Sequence, residues 1–361
     1  MLHSKPVITI AGTNGKGSTV AFCEAILLAA GYKIGAYYSP HVFDLSERIK
    51  INNKPISGLL ADSQDFSEKT QIALKEFEKY VLDVIILEVG IGGRCDPVNL
   101  LVEPDVSVIT NIDYDHQNRL GNSLEKIGLE KAHVFRPNKP SIYGAESIPK
   151  AVVDYAQQIN TQLFKYKESF NYKIYEDHWE FFSPNKNINY KNLPIPDYLT
   201  LHDAAIALEA LSHLPLDISL DSIKSGLKSA YLPGRFKVIQ KPVLQIFDVA
   251  HNPASAVLLS HKLKKLSCKG KTFGVVGMLK DKDIPGTLEP LIPTIDNWIV
   301  GTLSDPRAAT SEQIGAYLPN SVLFDDIHMA YHQALKLAGP NDRVVIFGSF
   351  RTVGALCPDR R

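Results

Sequence analysis

The chain has 361 residues, 45% hydrophobic and 22% charged, with 23 Gly and 22 Pro, the balance of a folded protein of about two domains rather than a disordered or fibrous chain. Lys+Arg and Asp+Glu are both 39, a formal net charge of zero, so no polyanion-binding surface is indicated and nucleic acid is excluded as a first reading. Cys23, Cys95, Cys268 and Cys357 form no Cys-x-x-Cys pair, which argues against a disulfide framework or a thiolate zinc site and fits a reducing cytoplasm. No apolar run reaches the ~18 residues of a membrane helix, and the start Met-Leu-His-Ser-Lys-Pro lacks the apolar centre of a signal peptide.

Pro6 to Ala11 reads as a buried strand, followed by the loop Gly12-Thr-Asn-Gly-Lys-Gly-Ser18 and a helix to about Ala30. Val20, Cys23, Leu27 and Ala30 share one face of that helix, and Gly31 is its expected C-cap. Apolar strands at 34–38, 84–89, 106–110 and 141–143 alternate with helical stretches at about 62–80 and 122–136, the pattern of an α/β domain with a mainly parallel sheet. Between 164 and 182, Phe164, Tyr166, Phe170, Tyr172, Ile174, Trp179 and Phe181 alternate with polar residues, which predicts an antiparallel hairpin. Lys165, Lys167 and Lys173 interleave with these aromatics, a pattern that also serves single-stranded nucleic acid, but the local acids balance them. Two helices follow at 201–211 and 220–230, then the turn at Pro233-Gly234. Strands at 244–249, 271–276, 297–301, 321–324 and 343–348 restart the alternation, so two domains are expected, 1–240 and 241–361.

A glycine-rich loop between a strand and a helix presents backbone N–H groups to phosphate. Lys16 would neutralise the β- and γ-phosphates and Ser18 could reach Mg²⁺, although no glycine stands at position 10 and Gly17 separates the lysine from the hydroxyl. Glu88 ends a strand that is otherwise apolar, at the sheet edge where open parallel sheets bind ligands. A buried carboxylate there calls for a metal or cationic partner, with Arg94 the structural alternative. Asn111-Ile-Asp-Tyr-Asp115-His116 follows the next strand, and Glu88 and His116 could share one divalent ion.

Asn122 and Glu125 are a capping-box candidate for the helix that carries Lys131 on its apolar stripe with Leu124, Ile127, Gly128 and Phe135. An inward lysine either snorkels or, as a neutral amine, takes up carbon dioxide as a carbamate; the residues alone favour snorkelling. In the second domain Asp248, His251 and Asn252 cluster after a strand, and Arg235 lies just before the boundary, placed to reach across a cleft. His328 and His332 lack the glutamate of a metalloprotease helix and read as helix surface.

The set Gly12-Thr-Asn-Gly-Lys-Gly-Ser18, Ser39-Pro-His41, Glu47-Arg48, Leu87-Glu-Val-Gly-Ile-Gly-Gly-Arg94, Asp115-His116, Glu130-Lys-Ala132, Pro233-Gly-Arg235 and Asp248-Val-Ala-His-Asn252 resembles folylpolyglutamate synthases of the Mur ligase superfamily. Gly277-Met-Leu-Lys-Asp-Lys-Asp283 with Gly286-Thr-Leu288 is similar to the bifunctional dihydrofolate synthase/folylpolyglutamate synthase branch. The resemblance implies a P-loop-type, mainly parallel α/β domain like the Mur ligase central domain and a smaller C-terminal Rossmann-like α/β domain. It implies ATP-dependent joining of L-glutamate to dihydropteroate and reduced folates through an acyl phosphate, in a cytoplasmic monomer that uses ATP, Mg²⁺ and K⁺.

Carried over by motif, Lys16, Lys131 and His116 would form the catalytic set. Gly12, Thr13, Asn14, Gly15, Lys16, Gly17, Ser18, Asp203, Arg235 and Asp248 would contact ATP. Ser18, Ser39, Glu88 and His116 would hold metal, and Lys131 would be carbamylated, reversing the snorkelling reading. Arg48, His251 and Ser349 would meet glutamate, and Cys95, Asp96 and Pro97 the pterin. The chain departs from the family in the few residues ahead of its phosphate loop and in a short segment between Arg48 and Leu82, where Asp65-Phe-Ser-Glu68 stands nearest to the usual Thr-x-Phe-Glu. Asp203 also stands where asparagine is common. These departures motivate two alternatives, a Mur-type peptide ligase of cell-wall synthesis and a catalytically impaired ATP- or folate-binding remnant; Ser39-Pro-His and the Gly-Met-Leu run argue against the first.

Overall fold

A computed structural model of the chain describes residues 5–197, 199–240 and 243–358; Met1–Ser4, which carry the leader expectation, and residue 241, the expected start of the second domain, lie outside them. The chain forms two compact units, Met1–Leu232 and Pro233–Arg361. In the first, one sheet is built from β1 (Val7–Ala11), β2 (Ile34–Tyr37), β3 (Ile49–Ile51), β4 (Lys54–Pro55), β5 (Val84–Glu88), β6 (Val106–Ile109), β7 (Pro140–Tyr143) and β8 (Gln162–Lys165). Its order is β4-β3-β2-β5-β1-β6-β7-β8, with β2 to β8 across the centre all parallel and β3 and β4 antiparallel at one edge. Helices α1 (Lys16–Ala29), α2 (Phe66–Phe77), α3 (Pro97–Leu101), α4 (Gln117–Leu120), α5 (Leu124–Ala132), α6 (Lys150–Gln158), α7 (Leu201–Ser212) and α8 (Leu220–Ser229) complete the layers.

The central strands read as continuous apolar runs because both faces are covered. In β1, Ile8 and Ile10 enter the core shared with α1, α7 and α8, while Val7 and Ala11 enter the core on the opposite face with Ala73, Phe77 and Phe135. Gly226 of α8 lies so close to Ile26 of α1 that any added Cβ would overlap its backbone. Gly31 takes a φ of +86° after the last turn of α1, as expected of a C-terminal glycine.

The aromatic stretch differs from the expected hairpin. Phe164 lies in β8, which pairs parallel with β7, and the antiparallel part is a three-stranded sheet of β9 (Asn171–Ile174), β10 (His178–Ser183) and β11 (Ile188–Pro194) in the order β11-β10-β9. Period-two alternation reports burial of one face and carries no information on the direction of the partner. The capping box at Asn122 is also absent: Ser123 caps α5 through Lys126 N, and the Glu125 carboxylate accepts from Lys150 N and Ala151 N at the start of α6.

The second unit has β12 (Lys237–Ile239), β13 (Leu244–Phe247), β14 (Thr272–Val276), β15 (Asn297–Gly301), β16 (Val322–Phe324) and β17 (Arg343–Phe347), ordered β12-β13-β17-β14-β15-β16. All neighbours are parallel except β12 and β13, a Rossmann-like sheet. Because β12 pairs with β13, Lys237–Ile239 joins this unit, and the division falls at Leu232 and Pro233 rather than near 240. The unit's helices are α9 (Pro253–Lys265), α10 (Ile284–Leu288), α11 (Ser311–Gly315), α12 (Ile327–Leu337) and α13 (Phe350–Leu356), and His328 and His332 lie exposed on α12.

Candidate active site

The phosphate loop leaves β1 in the middle of the sheet, between the ends of β5 and β6, and runs straight into α1. Neighbouring elements fix its shape: Thr13 N donates to Asn111 O at 3.0 Å, Asn14 N to Asn111 Oδ1 at 2.9 Å, and Thr110 Oγ1 to Asn14 O at 2.5 Å. Lys16 Nζ folds back onto the carbonyls of Gly12 and Thr13, at 3.1 and 3.2 Å. Gly15 is the N-cap of α1 in the left-handed region, with φ of +82° and no side-chain cap bond, so the first-turn N–H groups are not occupied by a capping side chain. A Cβ on Gly15 would collide with Asp203 Oδ1. Gly15→Ala is therefore expected to cost about 1–3 kcal/mol in chemical denaturation and to weaken ATP binding in a titration.

Glu88 is the last residue of β5, 4% exposed, and its Oε2 accepts from Ser39 N at 2.9 Å. A Cβ on Gly17 would lie 3.4 Å from the same oxygen, so Glu88 sits beside the first turn of α1 that carries buried Ser18. Arg94, its alternative partner, pairs with Glu130 at 3.4 Å. His116 follows β6 at the N-cap of α4, with Nε2 3.8 Å from Asp115 Oδ2. The structure thus gathers Ser18, Ser39 and Glu88, and places His116 on the loop flanking β1 from the other side. Among the described residues no three His, Cys, Asp or Glu side chains form a metal cluster. A buried carboxylate, two hydroxyls and an imidazole nevertheless fit a hard divalent cation that takes its remaining ligands from phosphate and water.

Lys131 of α5 is 4% exposed and faces inward, its Nζ donating to Gly12 O at 2.8 Å. The lysine stripe read from the sequence therefore ends on the phosphate loop rather than at the surface. Asp203, in the first turn of α7, is held by Thr200 Oγ1 at 2.5 Å and touches the loop at Gly15.

The stretch after β5 is organised by Asp96, which caps α3 at Val98 N and accepts from Gly90 N and Ile91 N at 3.0 and 3.1 Å. Cys95 is exposed beside it, and Pro97 opens α3. Burial pushes the Asp96 carboxyl up from 3.8 to about 6, against the N–H groups of Ile91, Val98 and Gly90 and the charge of Lys16. A raised acid stabilises the fold fully below its unfolded pKa and loses that contribution as pH climbs through the folded one. The stability of the wild type relative to Asp96→Asn is expected to fall by about 2 kcal/mol from about pH 4 to about pH 7, read in urea titrations at each pH.

In the second unit the loops after β13 and β17 are adjacent, joined by Gly348 N donating to Ala250 O at 2.9 Å. Asp248 accepts from Phe236 N at 3.0 Å and Ala250 N at 2.9 Å. Arg235 lies over the Phe350 ring at 5.3 Å, and its buried Nε has no hydrogen-bond partner among the described residues. His251 Nδ1 lies 2.8 Å from Val249 O, which assigns the ring proton to that nitrogen. Asn252 caps α9, and Ser349 caps α13 through Thr352 N at 2.9 Å. Arg235, Asp248, His251 and Ser349 therefore share one sheet edge of this unit.

The Mur ligase middle domain matches residues 10–207, and the glutamate ligase domain of Mur ligases matches residues 234–350. The dihydrofolate synthase/folylpolyglutamate synthase of Escherichia coli (strain K12) is 40% identical, over 96% of this chain and 85% of that one. The chain belongs to this family of Mur ligases. A more distant member, from Bacillus subtilis (strain 168), is 28% identical over 94% of this chain and 87% of its own. The structure of E. coli FolC in complex with DHPP and ADP superposes with a TM-score of 0.91 at 40% identity, covering 97% of this chain and 87% of that one. A bifunctional folylpolyglutamate synthase/dihydrofolate synthase with Mn, AMPPNP and L-glutamate bound gives 0.90 at 39%, covering 97% and 88%.

Two residues beside the expected set were not singled out from the sequence. Tyr37 ends β2, where Phe66 of the Asp65-Phe-Ser-Glu68 stretch stacks on it with ring centroids 6.0 Å apart, and Lys69 lies buried one turn along α2. Tyr37 reads only as part of an apolar strand, and Lys69 follows the quoted stretch in a polar-looking run.

Proposed function

We propose that this ligase joins L-glutamate to dihydropteroate and to reduced folates, in a cytoplasmic monomer. The observation that supports it most strongly is the convergence of Lys16 and Lys131 on the Gly12 carbonyl, with Glu88 at the neighbouring strand end. The acceptor carboxylate attacks the γ-phosphorus of ATP and ADP leaves; the amino nitrogen of glutamate then attacks the acyl carbon, and phosphate departs as the amide forms. Lys16 and the N–H groups of α1 hold the transferring phosphates, a reaction in which positioning and charge neutralisation supply most of the catalysis. Ser18, Ser39, Glu88 and His116 would hold Mg²⁺, which when bound neutralises phosphate charge. Carbamylated Lys131 would add a negative oxygen to that set, and K⁺ is a further monovalent requirement of the proposal. Arg235 and Asp248 would contribute to ATP binding, Arg48, His251 and Ser349 to glutamate, and Cys95, Asp96 and Pro97 to the pterin.

The test is glutamate-dependent ADP release with dihydropteroate and then with tetrahydrofolate, with a muramyl nucleotide as control. Release with either pterin is the expected result. ATP binding without release on any acceptor would instead support a catalytically impaired remnant, the reading favoured by the short segment between Arg48 and Leu82. Release only on the muramyl nucleotide would make it a cell-wall ligase.

A further inference from the structure

Arg48 and Lys69 both border the end of β2: the Arg48 carbonyl accepts from Tyr38 N at 2.8 Å, and Thr70, next to Lys69, reaches the Tyr37 hydroxyl at 3.4 Å. Arg48 closes the short turn Leu45–Arg48 after β2, and Lys69 is 8% exposed on α2. Arg48 Nε donates to His41 Nδ1 at 3.1 Å. Lys69 Nζ donates to the Gln64 carbonyl at 2.5 Å. Neither cation forms an ion pair among the described residues.

Four carboxylates of this region already hold backbone N–H groups. Glu47 accepts from the N–H groups of Val42, Phe43 and Asp44. Asp65 and Glu68 hold each other's backbone N–H in the capping box of α2, and Asp96 takes three backbone donors. Burial and then the nearby charge of Arg48 push the Lys69 ammonium down, and Asp62, Asp65 and Glu68 offset this only in part. Two like charges in a partly desolvated space repel, and an anion bound between them relieves the cost.

The position of the pair matters as much as its charge. Tyr37 registers with Leu87, one residue before Glu88, and Phe66 packs on Gly90 at the head of the Gly90–Gly93 loop. The cations thus lie at the same sheet edge as the phosphate loop, beside the stretch proposed to meet the pterin. A fork-shaped guanidinium and an ammonium together match the geometry of a carboxylate.

We propose that Lys69, acting with Arg48, binds a substrate carboxylate other than the one that is phosphorylated. This rests on the ligase reading, which supplies two sources of such a group: the incoming L-glutamate, or the glutamate tail of a folate acceptor, which dihydropteroate lacks. Titration calorimetry on the enzyme loaded with Mg²⁺ and a non-hydrolysable ATP analogue reads each ligand separately.

In Lys69→Met, affinity for one of the two is expected to fall roughly tenfold, with Lys69→Arg recovering most of it. Weaker L-glutamate assigns the cradle to the incoming amino acid. Weaker tetrahydrofolate with undiminished dihydropteroate assigns it to the folate tail. Lys69→Gln keeps a donor for the Gln64 carbonyl and reads the same quantity should Lys69→Met fail to fold. Unaltered affinity for both carboxylate ligands, or a loss that Lys69→Arg does not restore, would overturn the proposal. Wild-type binding without ADP release would count against the ligase reading alone, and the variants would still decide the cradle.

Discussion

Lys16→Ala is expected to lower glutamate-dependent ADP release by about 10³-fold or more while leaving the fold intact. Lys16 is the first residue of α1, half-buried, and its Nζ is held by the Gly12 and Thr13 carbonyls at 3.1 and 3.2 Å. The ammonium is thus fixed above the loop before any nucleotide arrives, and a charge that needs no reorganisation stabilises the transferring phosphoryl group most. Alanine propagates a helix at least as well as lysine and removes no core contact, so thermal melts should superimpose on those of the wild type. Steady-state ADP release, with melts run in parallel, checks both halves. An active variant, or one that has merely lost its fold, would each remove the lysine from the catalytic account.

Much of the catalytic edge was legible because its residues break local expectations. A carboxylate at the end of the apolar strand β5 and a lysine on the inner stripe of α5 are costly to bury without a purpose, and both are found at the phosphate loop. The central strands were legible for a related reason, since parallel strands covered on both faces read as apolar runs. The β3–β4 hairpin escaped notice although its turn residues Asn52 and Asn53 both adopt positive φ, a conformation asparagine tolerates well. Strand β11 escaped because Ile188-Asn-Tyr-Lys-Asn-Leu-Pro194 buries only Leu193 fully.

What could not be read was tertiary. Lys69 acquires significance only because α2 packs on Tyr37, beside the strand end whose neighbour is Arg48, some twenty positions earlier in the chain. Asp96 carries, besides the contact its motif implies, a cap on three backbone N–H groups that its sequence neighbours do not announce. The cap of α5 moved by one residue because Glu125 finds the open N-terminus of α6, where Pro149 offers no side-chain acceptor. Each of these depends on which elements become neighbours, and local propensity does not encode that.

Lys131→Ala should lower turnover by roughly 10³-fold, comparable to the loss of a preorganised electrostatic group, and short carboxylic acids should restore part of it. The amine lies 4% exposed against Gly12 O, so removing the side chain opens space beside the phosphate loop. A carbamate forms when an unprotonated lysine nitrogen attacks carbon dioxide and releases a proton. That group would carry its negative charge to the same place as Glu88 and His116, and formate or acetate can replace the charge without replacing the tether. An unmodified lysine makes a different prediction. Its ammonium would hold the loop through Gly12, and an added anion would then do nothing or inhibit, while a small amine would rescue. Turnover of Lys131→Ala titrated with formate, acetate and methylamine separates the two, and depletion of bicarbonate from wild-type assays should slow the enzyme only in the first case.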